Sequence, residues 1–259
     1  MKKETHILSC KKVTVDFDGF KAVNEMDFHL ENGELRFLIG PNGAGKTTML
    51  DVICGKVKAA SGQVHFRGDI DISKKKEHQI AELGIGRKFQ APSIFSGLTV
   101  MENLELAMSQ KRDVFSTLRA RMNTVDDKRI KDQLEMIGLV DRSELKAGGL
   151  SHGEKQWLEI GMMLMQNPVV LLLDEPVAGM TDKETEKTGE LLKEIASQRS
   201  VVVVEHDMEF VRSFASKVTV MHEGKLLKEG TMREVQQDKM VAEVYLGQRR
   251  DQDAISSTA

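Results

Sequence analysis

The chain has 259 residues, of which 40% are hydrophobic and 30% charged, so it is long enough to bury a sizeable core without disulfides. Its 37 basic and 40 acidic side chains nearly balance, which argues against nucleic acid as a partner. The N-terminus lacks the apolar stretch of a signal peptide, and the longest aliphatic run, residues 169–173, is too short to span a bilayer. We therefore expect a chain that is soluble on its own and cytoplasmic.

The predicted elements change character along the chain. Residues 8–66 contain short strands around a glycine-rich loop, and residues 100–165 are mostly helical, opening with a capping box at Thr99 and Glu102. From residue 169 onward, apolar strands alternate with helices, which predicts a parallel sheet covered on both faces. We predict one α/β domain over residues 1–259, with a helical subdomain at about 91–165 and a core plus β-subdomain at about 1–90 and 166–259.

The glycine-rich loop GPNGAGKTT matches the phosphate-loop pattern, and it lies between a strand-like run, LRFLI, and a predicted helix. Gly43 and Gly45 allow backbone N–H groups to turn toward phosphate oxygens, and the helix N-terminus adds its positive end. Lys46 is expected to reach the outer phosphates of ATP, and the hydroxyl of Thr47 to bind Mg²⁺. The predicted ATP-binding residues of this loop are Gly40, Asn42, Gly43, Ala44, Gly45, Lys46, Thr47 and Thr48.

Two carboxylates follow the most apolar predicted strand. Asp174 and Glu175 come directly after VVLLL, so they should emerge at the same sheet edge as the phosphate loop. Asp174 is predicted to hold Mg²⁺, and Glu175 to orient or deprotonate the attacking water. His206 follows the next apolar strand, where its imidazole could contact a terminal phosphate and Glu175.

The stretch LSHGE contains a second capping box, in which Ser151 and Glu154 open an amphipathic helix. A capped core helix is the simplest interpretation of these residues taken alone. The glycine-led helix N-terminus is also a second anion site, however, in a chain that already has one. We therefore predict that it serves the ATP held by a partner subunit.

With these motifs in this order, residues 8–246 resemble the nucleotide-binding subunit of ABC transporters. The resemblance implies a P-loop NTPase fold with a mixed sheet core, a helical subdomain and an N-terminal antiparallel β-subdomain. It also implies ATP and Mg²⁺ as ligands, and a dimer in which the signature helix of one subunit closes over the ATP of the other. The second subunit would be a copy of this chain or a different ATPase.

Individual roles also follow from the resemblance. Phe17 lies where an aromatic ring stacks on adenine, Gln90 where a glutamine senses the Mg²⁺ site and faces the membrane partner, and Asp182 where an aspartate crosses the dimer interface. Ser151 and Gly153 would meet the terminal phosphate of the partner's ATP.

The signature departs from the family's usual LSGGQ at two positions. His152 replaces a glycine and could donate to phosphate, whereas Glu154 replaces glutamine and brings a negative charge toward a triphosphate. These changes predict an altered affinity or rate at the composite site.

Within the family, GPNGAGKTT, DEPVAGMTD and VAEVYLG resemble importers of branched-chain amino acids and amides, and LSHGEKQWLEIG is similar to bacterial urea-import ATPases. The leading hypothesis is an ATPase on the inner face of the cell membrane. It would drive urea or short-amide import through two permease subunits supplied by an extracytoplasmic solute-binding protein. The alternatives are a branched-chain amino acid importer ATPase and a soluble ABC ATPase in cofactor assembly.

Overall fold

A computed structural model describes residues 6–87, 94–108 and 124–244 of the chain. The strands are β1 (His6–Phe17), β2 (Phe20–Glu31), β3 (Leu35–Ile39), β4 (Ser61–Phe66), β5 (Ile70–Asp71), β6 (Ile85–Arg87), β7 (Val170–Asp174), β8 (Ser200–Val204), β9 (Lys217–His222) and β10 (Lys225–Gly230). The α-helices are α1 (Lys46–Ile53), α2 (Glu77–Glu82), α3 (Val100–Ala107), α4 (Thr124–Met136), α5 (His152–Met165), α6 (Asp182–Ala196), α7 (Met208–Phe214) and α8 (Met232–Gln236).

A six-stranded sheet in the order β10-β9-β3-β8-β7-β6 forms the centre of the fold. Its neighbouring strands run parallel, except that β10 pairs antiparallel with β9 at one edge. Every residue of β3, β7 and β8 is buried, as expected for apolar strands covered on two faces. The predicted mixed α/β core is therefore confirmed.

The two faces of this sheet pack into two apolar clusters because successive side chains of a strand point in opposite directions. Leu171 and Leu173 of β7 join the cluster that contains residues of helices α3 to α8. Val170 and Leu172 join the other cluster, with residues of α1 and of the N-terminal strands. The phosphate-loop helix and the signature helix thus cover opposite faces of one sheet.

A second, antiparallel sheet has the order β2-β1-β4-β5 and packs over α1. It is the predicted N-terminal β-subdomain. The hairpin between β1 and β2 turns at Asp18 and Gly19, both with positive φ. This hairpin leaves Phe17 and Phe20 exposed at its tip.

Helices α3, α4 and α5 form the predicted helical segment. Thr99 caps α3 through the predicted box with Glu102, and the described part of the segment packs on the core through side chains that include Leu104 and Trp157. Within the described ranges, no helix has both the length and the apolar character needed to cross a bilayer.

Candidate functional site

The glycine-rich loop lies between β3 and α1, at the carboxyl end of a central parallel strand. Gly43 and Gly45 have positive φ values of 79° and 96°, which other residues adopt only with strain. A Cβ atom on Gly45 would lie 2.3 Å from the carbonyl oxygen of Ala22, so this position has no room for a side chain. Asn42, Ala44 and Thr48 belong to the same loop and first helical turn.

The ammonium group of Lys46 is held inside this loop. Its Nζ donates to the carbonyl oxygens of Gly40 at 2.7 Å and Pro41 at 2.9 Å. Burial lowers the pKa of Lys46, and the nearby carboxylates of Glu175 and Asp174 oppose that effect. The lysine therefore lies close enough to both strand-end carboxylates to sense their charge.

Asp174 ends β7 as a buried carboxylate beside the phosphate-loop helix. The hydroxyl of Thr47 lies next to this carboxylate, whose Oδ2 atom is buried without a hydrogen-bond partner. Burial raises the pKa of Asp174, with opposing contributions from Thr47 and from the guanidinium of Arg87. A buried carboxylate oxygen with an unused lone pair, next to a hydroxyl, suits a cation with oxygen ligands.

Glu175 turns its side chain away from the strand. Its φ of 49° is left-handed, and its N–H continues the ladder by donating to Val204 at 2.9 Å. The carboxylate is half-exposed, and its Oε1 lies 3.6 Å from Nδ1 of His206, which follows β8. The structure thus brings Lys46, Asp174, Glu175 and His206 to one edge of the sheet.

Two charged residues at this edge were not predicted from the sequence. Buried Glu205 accepts from the N–H groups of Val177 at 3.3 Å and His206 at 3.1 Å, and so ties the loop after Glu175 to the end of β8. Burial raises the pKa of Glu205. Its position in EHD, after four valines, was the available sequence signal.

The second unpredicted residue is Arg87, at the end of β6. Its Nη1 donates to Asp51 of α1 and lies 3.3 Å from Sγ of Cys54, and its Nη2 lies 3.9 Å from Oδ2 of Asp174. Arg87 therefore connects α1 with the buried carboxylate of β7. No pattern in GRKFQ indicates these contacts, because they depend on the neighbouring strands.

The LSHGE stretch caps α5 as predicted. The Ser151 hydroxyl accepts from the N–H of Glu154 at 3.2 Å, and the Glu154 carboxylate accepts from the N–H of Ser151 at 2.9 Å. The other Glu154 oxygen lies 3.4 Å from Nε of Arg142. His152 makes a 3.0 Å hydrogen bond between its Nε2 and the carbonyl oxygen of Ala178. The signature is thereby attached to the loop that follows Glu175.

Three further residues were predicted from the resemblance, and the structure describes two of them. Phe17 is 49% exposed, which leaves its ring available for stacking. Asp182 is the first residue of α6 and lines a cleft together with His206. Gln90 lies outside the described residues.

A phosphate loop after a parallel strand, facing strand-end carboxylates, defines the class of P-loop nucleotide hydrolases. The sequence profile of the ABC transporter family matches residues 23–178 of this chain. The protein named high-affinity branched-chain amino acid transport ATP-binding protein LivG of Escherichia coli is 34% identical, with 93% of this chain and 98% of that protein covered. BraF of Pseudomonas aeruginosa, which has a name of the same type, is 32% identical over the same shares.

Solved structures agree with this assignment. An ATP-binding cassette of an ABC transporter in its ADP conformation superimposes with a TM-score of 0.80 at 30% identity, covering 93% of this chain and 99% of that one. A dimeric bacterial ABC transporter cassette gives a TM-score of 0.73 at 27% identity, covering 87% and 99%. The chain belongs to the ABC transporter family, in which it is an ATP-hydrolysing, transport-coupled subunit.

Proposed function

We propose that ATP hydrolysis occurs at the edge formed by Lys46, Asp174, Glu175 and His206. The supporting observation is the pairing of Glu175 with His206 across 3.6 Å, beside the buried lysine of the phosphate loop. Lys46 exchanges its two carbonyl contacts for phosphate oxygens. Glu175 orients the attacking water and accepts its proton, and His206 holds the Glu175 carboxylate and contacts the terminal phosphate.

Thr47 and Asp174 fit a magnesium ion. The buried, unpartnered Oδ2 of Asp174 and the adjacent hydroxyl of Thr47 supply two oxygen ligands, and phosphate oxygens and water would complete the set. When bound there, Mg²⁺ neutralises charge on the phosphates. Arg87, 3.9 Å from Asp174, balances the charge of this carboxylate before the ion binds.

The complete site requires two subunits. Ser151 caps α5 and Gly153 lies in its first turn, so together they present a hydroxyl and an N–H group, which are donors that suit a terminal phosphate. We infer that they meet ATP held by the phosphate loop of a partner, that Asp182 contacts that partner, and that Phe17 stacks on adenine. The match to a dimeric cassette supports this arrangement.

We propose that a permease subunit binds the groove between the core and the helical segment α3–α5. Arg87 and Pro168 line this groove on the core side, and Phe95, Leu106 and Met162 line it on the helical side. Phe95 and Leu106 are exposed apolar side chains. An amphipathic segment of a membrane subunit would cover them, which would place this chain on the inner face of the membrane. A solute-binding protein would act on the other side.

For the cargo, the relatives favour the branched-chain amino acid alternative over the expected urea. The names of LivG and BraF both specify branched-chain amino acid transport. Urea remains a second candidate because of the LSHGEKQWLEIG segment. In the structure, His152 of this segment bonds to Ala178 and Glu154 pairs with Arg142. These contacts lie within the chain, so they do not distinguish one transported solute from the other.

Uptake by cells lacking this chain, with the companion subunits intact, tests the cargo. We expect loss of high-affinity uptake of labelled leucine at micromolar concentrations and retention of urea uptake. Loss of urea uptake alone would favour the second candidate. Loss of neither, together with failure to co-purify with a multi-span membrane protein, would indicate the soluble cofactor-assembly alternative.

A further inference from the structure

The carboxylate of Glu184 bridges the first turns of two helices. Its Oε2 accepts from the N–H and the hydroxyl of Thr181, each at 3.0 Å, and so caps α6. Its Oε1 accepts from the hydroxyl of Ser151 at 2.9 Å, and the same carboxylate lies close to the N–H of Gly153. One side chain thus binds one donor of the signature and lies beside a second.

The contact with the signature is close. A Cβ atom on Gly153 would lie 2.6 Å from the carboxyl carbon of Glu184, so this carboxylate lies directly against the start of α5. The hydrogen bonds from Thr181 and Ser151 lower the pKa of Glu184, which keeps it ionised at neutral pH. An anion of this chain therefore occupies the signature's donors.

We propose that Glu184 sets the ATP requirement for dimer formation, because its carboxylate occupies the position that the terminal phosphate of the partner's ATP takes. This inference rests on the proposed role of Ser151 and Gly153 toward that phosphate. Two anions cannot share these donors, so Glu184 must leave before the phosphate binds. The half-buried carboxylate can swing toward solvent while it keeps its hydrogen bonds to Thr181.

Glu184, rather than Glu154, is the competing charge. Glu154 turns its oxygens toward the N–H of Ser151 and toward Arg142, whereas Glu184 contacts the Ser151 hydroxyl. From the sequence, the repulsion is expected at Glu154, because this residue lies inside the signature. The contact between Glu184 and the start of α5 depends on how two helices pack, so the sequence did not predict it.

The substitution Glu184→Gln separates charge from shape. Gln retains an oxygen to accept from Thr181 but loses the negative charge, and hydrogen bonds to ionised acceptors are about twice as strong as neutral ones. We expect the ATP concentration for half-maximal dimer formation to fall by about five-fold. Glu184→Asp keeps the charge but is too short to reach Ser151. This variant should also lower the ATP concentration for half-maximal dimer formation.

A matched control exists at α8. Glu234 accepts from the N–H of Thr231 at 2.7 Å and from its hydroxyl at 2.9 Å, the same capping box in a helix that does not include the signature. Glu234→Gln should leave the ATP requirement unchanged. A thermal unfolding curve of each variant confirms that it is folded.

Light scattering during ATP titration measures the dimer, in a Glu175→Gln background and with the natural partner ATPase supplied. An unchanged or higher ATP requirement for folded Glu184→Gln and Glu184→Asp would overturn the inference. Ser151→Ala in the same background should raise the requirement. If Ser151→Ala has no effect, the proposed role of the signature fails. If it acts while both Glu184 variants do not, only the inference about Glu184 fails.

Discussion

At the scale of single residues, the phosphate loop fixes the ammonium group of its own lysine before a nucleotide binds. Lys46 is buried and bonded to two carbonyl oxygens of the loop, so its ammonium group is fixed before nucleotide arrives. Fixing the charge in advance reduces the conformational entropy lost on binding. The cost is desolvation, which lowers the pKa of Lys46. Hydrogen bonds from the ammonium group to charged phosphate oxygens offset this desolvation, because they are stronger than the bonds to neutral carbonyl oxygens.

Substituting Lys46→Ala should therefore weaken ATP binding itself. The loss of hydrogen bonds between an ammonium and phosphates predicts an affinity about 10²-fold lower. Equilibrium binding of a fluorescent ATP analogue measures this change, and Lys193→Ala, which removes an exposed lysine of α6, is the control. ATP binding by the folded Lys46→Ala protein with wild-type affinity would exclude the proposed contact.

At the scale of elements, a buried charge network joins the edge hairpin to the central sheet. Arg36 of β3 is fully buried and donates to Glu34 at 2.7 Å, to Glu229 of β10 at 2.5 Å and to Thr219 of β9 at 2.8 Å. Glu229 also pairs with Lys217 at 2.8 Å. Burial raises the pKa of Glu229, but its bonds to Lys217 and Arg36 lower it more.

Glu229→Gln should destabilise the fold at neutral pH. A neutral acceptor compensates the buried guanidinium of Arg36 less well, which should lower the free energy of unfolding by about 2 kcal/mol. Because the folded-state pKa lies below the ordinary value of 4.5, the difference from wild type should be full above that pH and decline progressively as the pH falls from 4.5 through the folded-state pKa.

Denaturant unfolding at pH 7 and at pH 3.5 measures this difference. The control is Glu190→Gln, which removes an exposed pair with Lys193 and should change stability by less than about 0.5 kcal/mol. Equal effects of the two substitutions at pH 7 would show that the Arg36 network does not depend on the charge of Glu229.

Local patterns in the sequence predicted most of these elements. The runs LRFLI and SVVVV each contain four apolar residues and form fully buried strands, and the boxes at Thr99 and Ser151 are helix caps. The roles of Arg36 and Arg87 could not be predicted in this way. Both depend on which strands become neighbours, and sheet order is a property of the whole fold.

At the scale of the whole molecule, the sheet determines where the chemistry lies. The parallel strands β3, β7 and β8 end at one edge, where Lys46, Glu175 and His206 meet. The predicted site could be assembled from the sequence because each of these residues follows an apolar strand. The contact between Glu184 and the signature joins the helices on either side of β7 in the chain, and no single segment encodes it.

The turnover of ATP by Glu175→Gln tests the central claim most directly. Gln keeps the shape of the side chain but cannot accept the proton of the attacking water. ATP should therefore still bind, while hydrolysis by the assembled complex falls by about 10²–10⁴-fold. Steady-state phosphate release with saturating ATP and Mg²⁺ provides the measurement, with Glu190→Gln as a folded control. Undiminished phosphate release by Glu175→Gln would contradict the account.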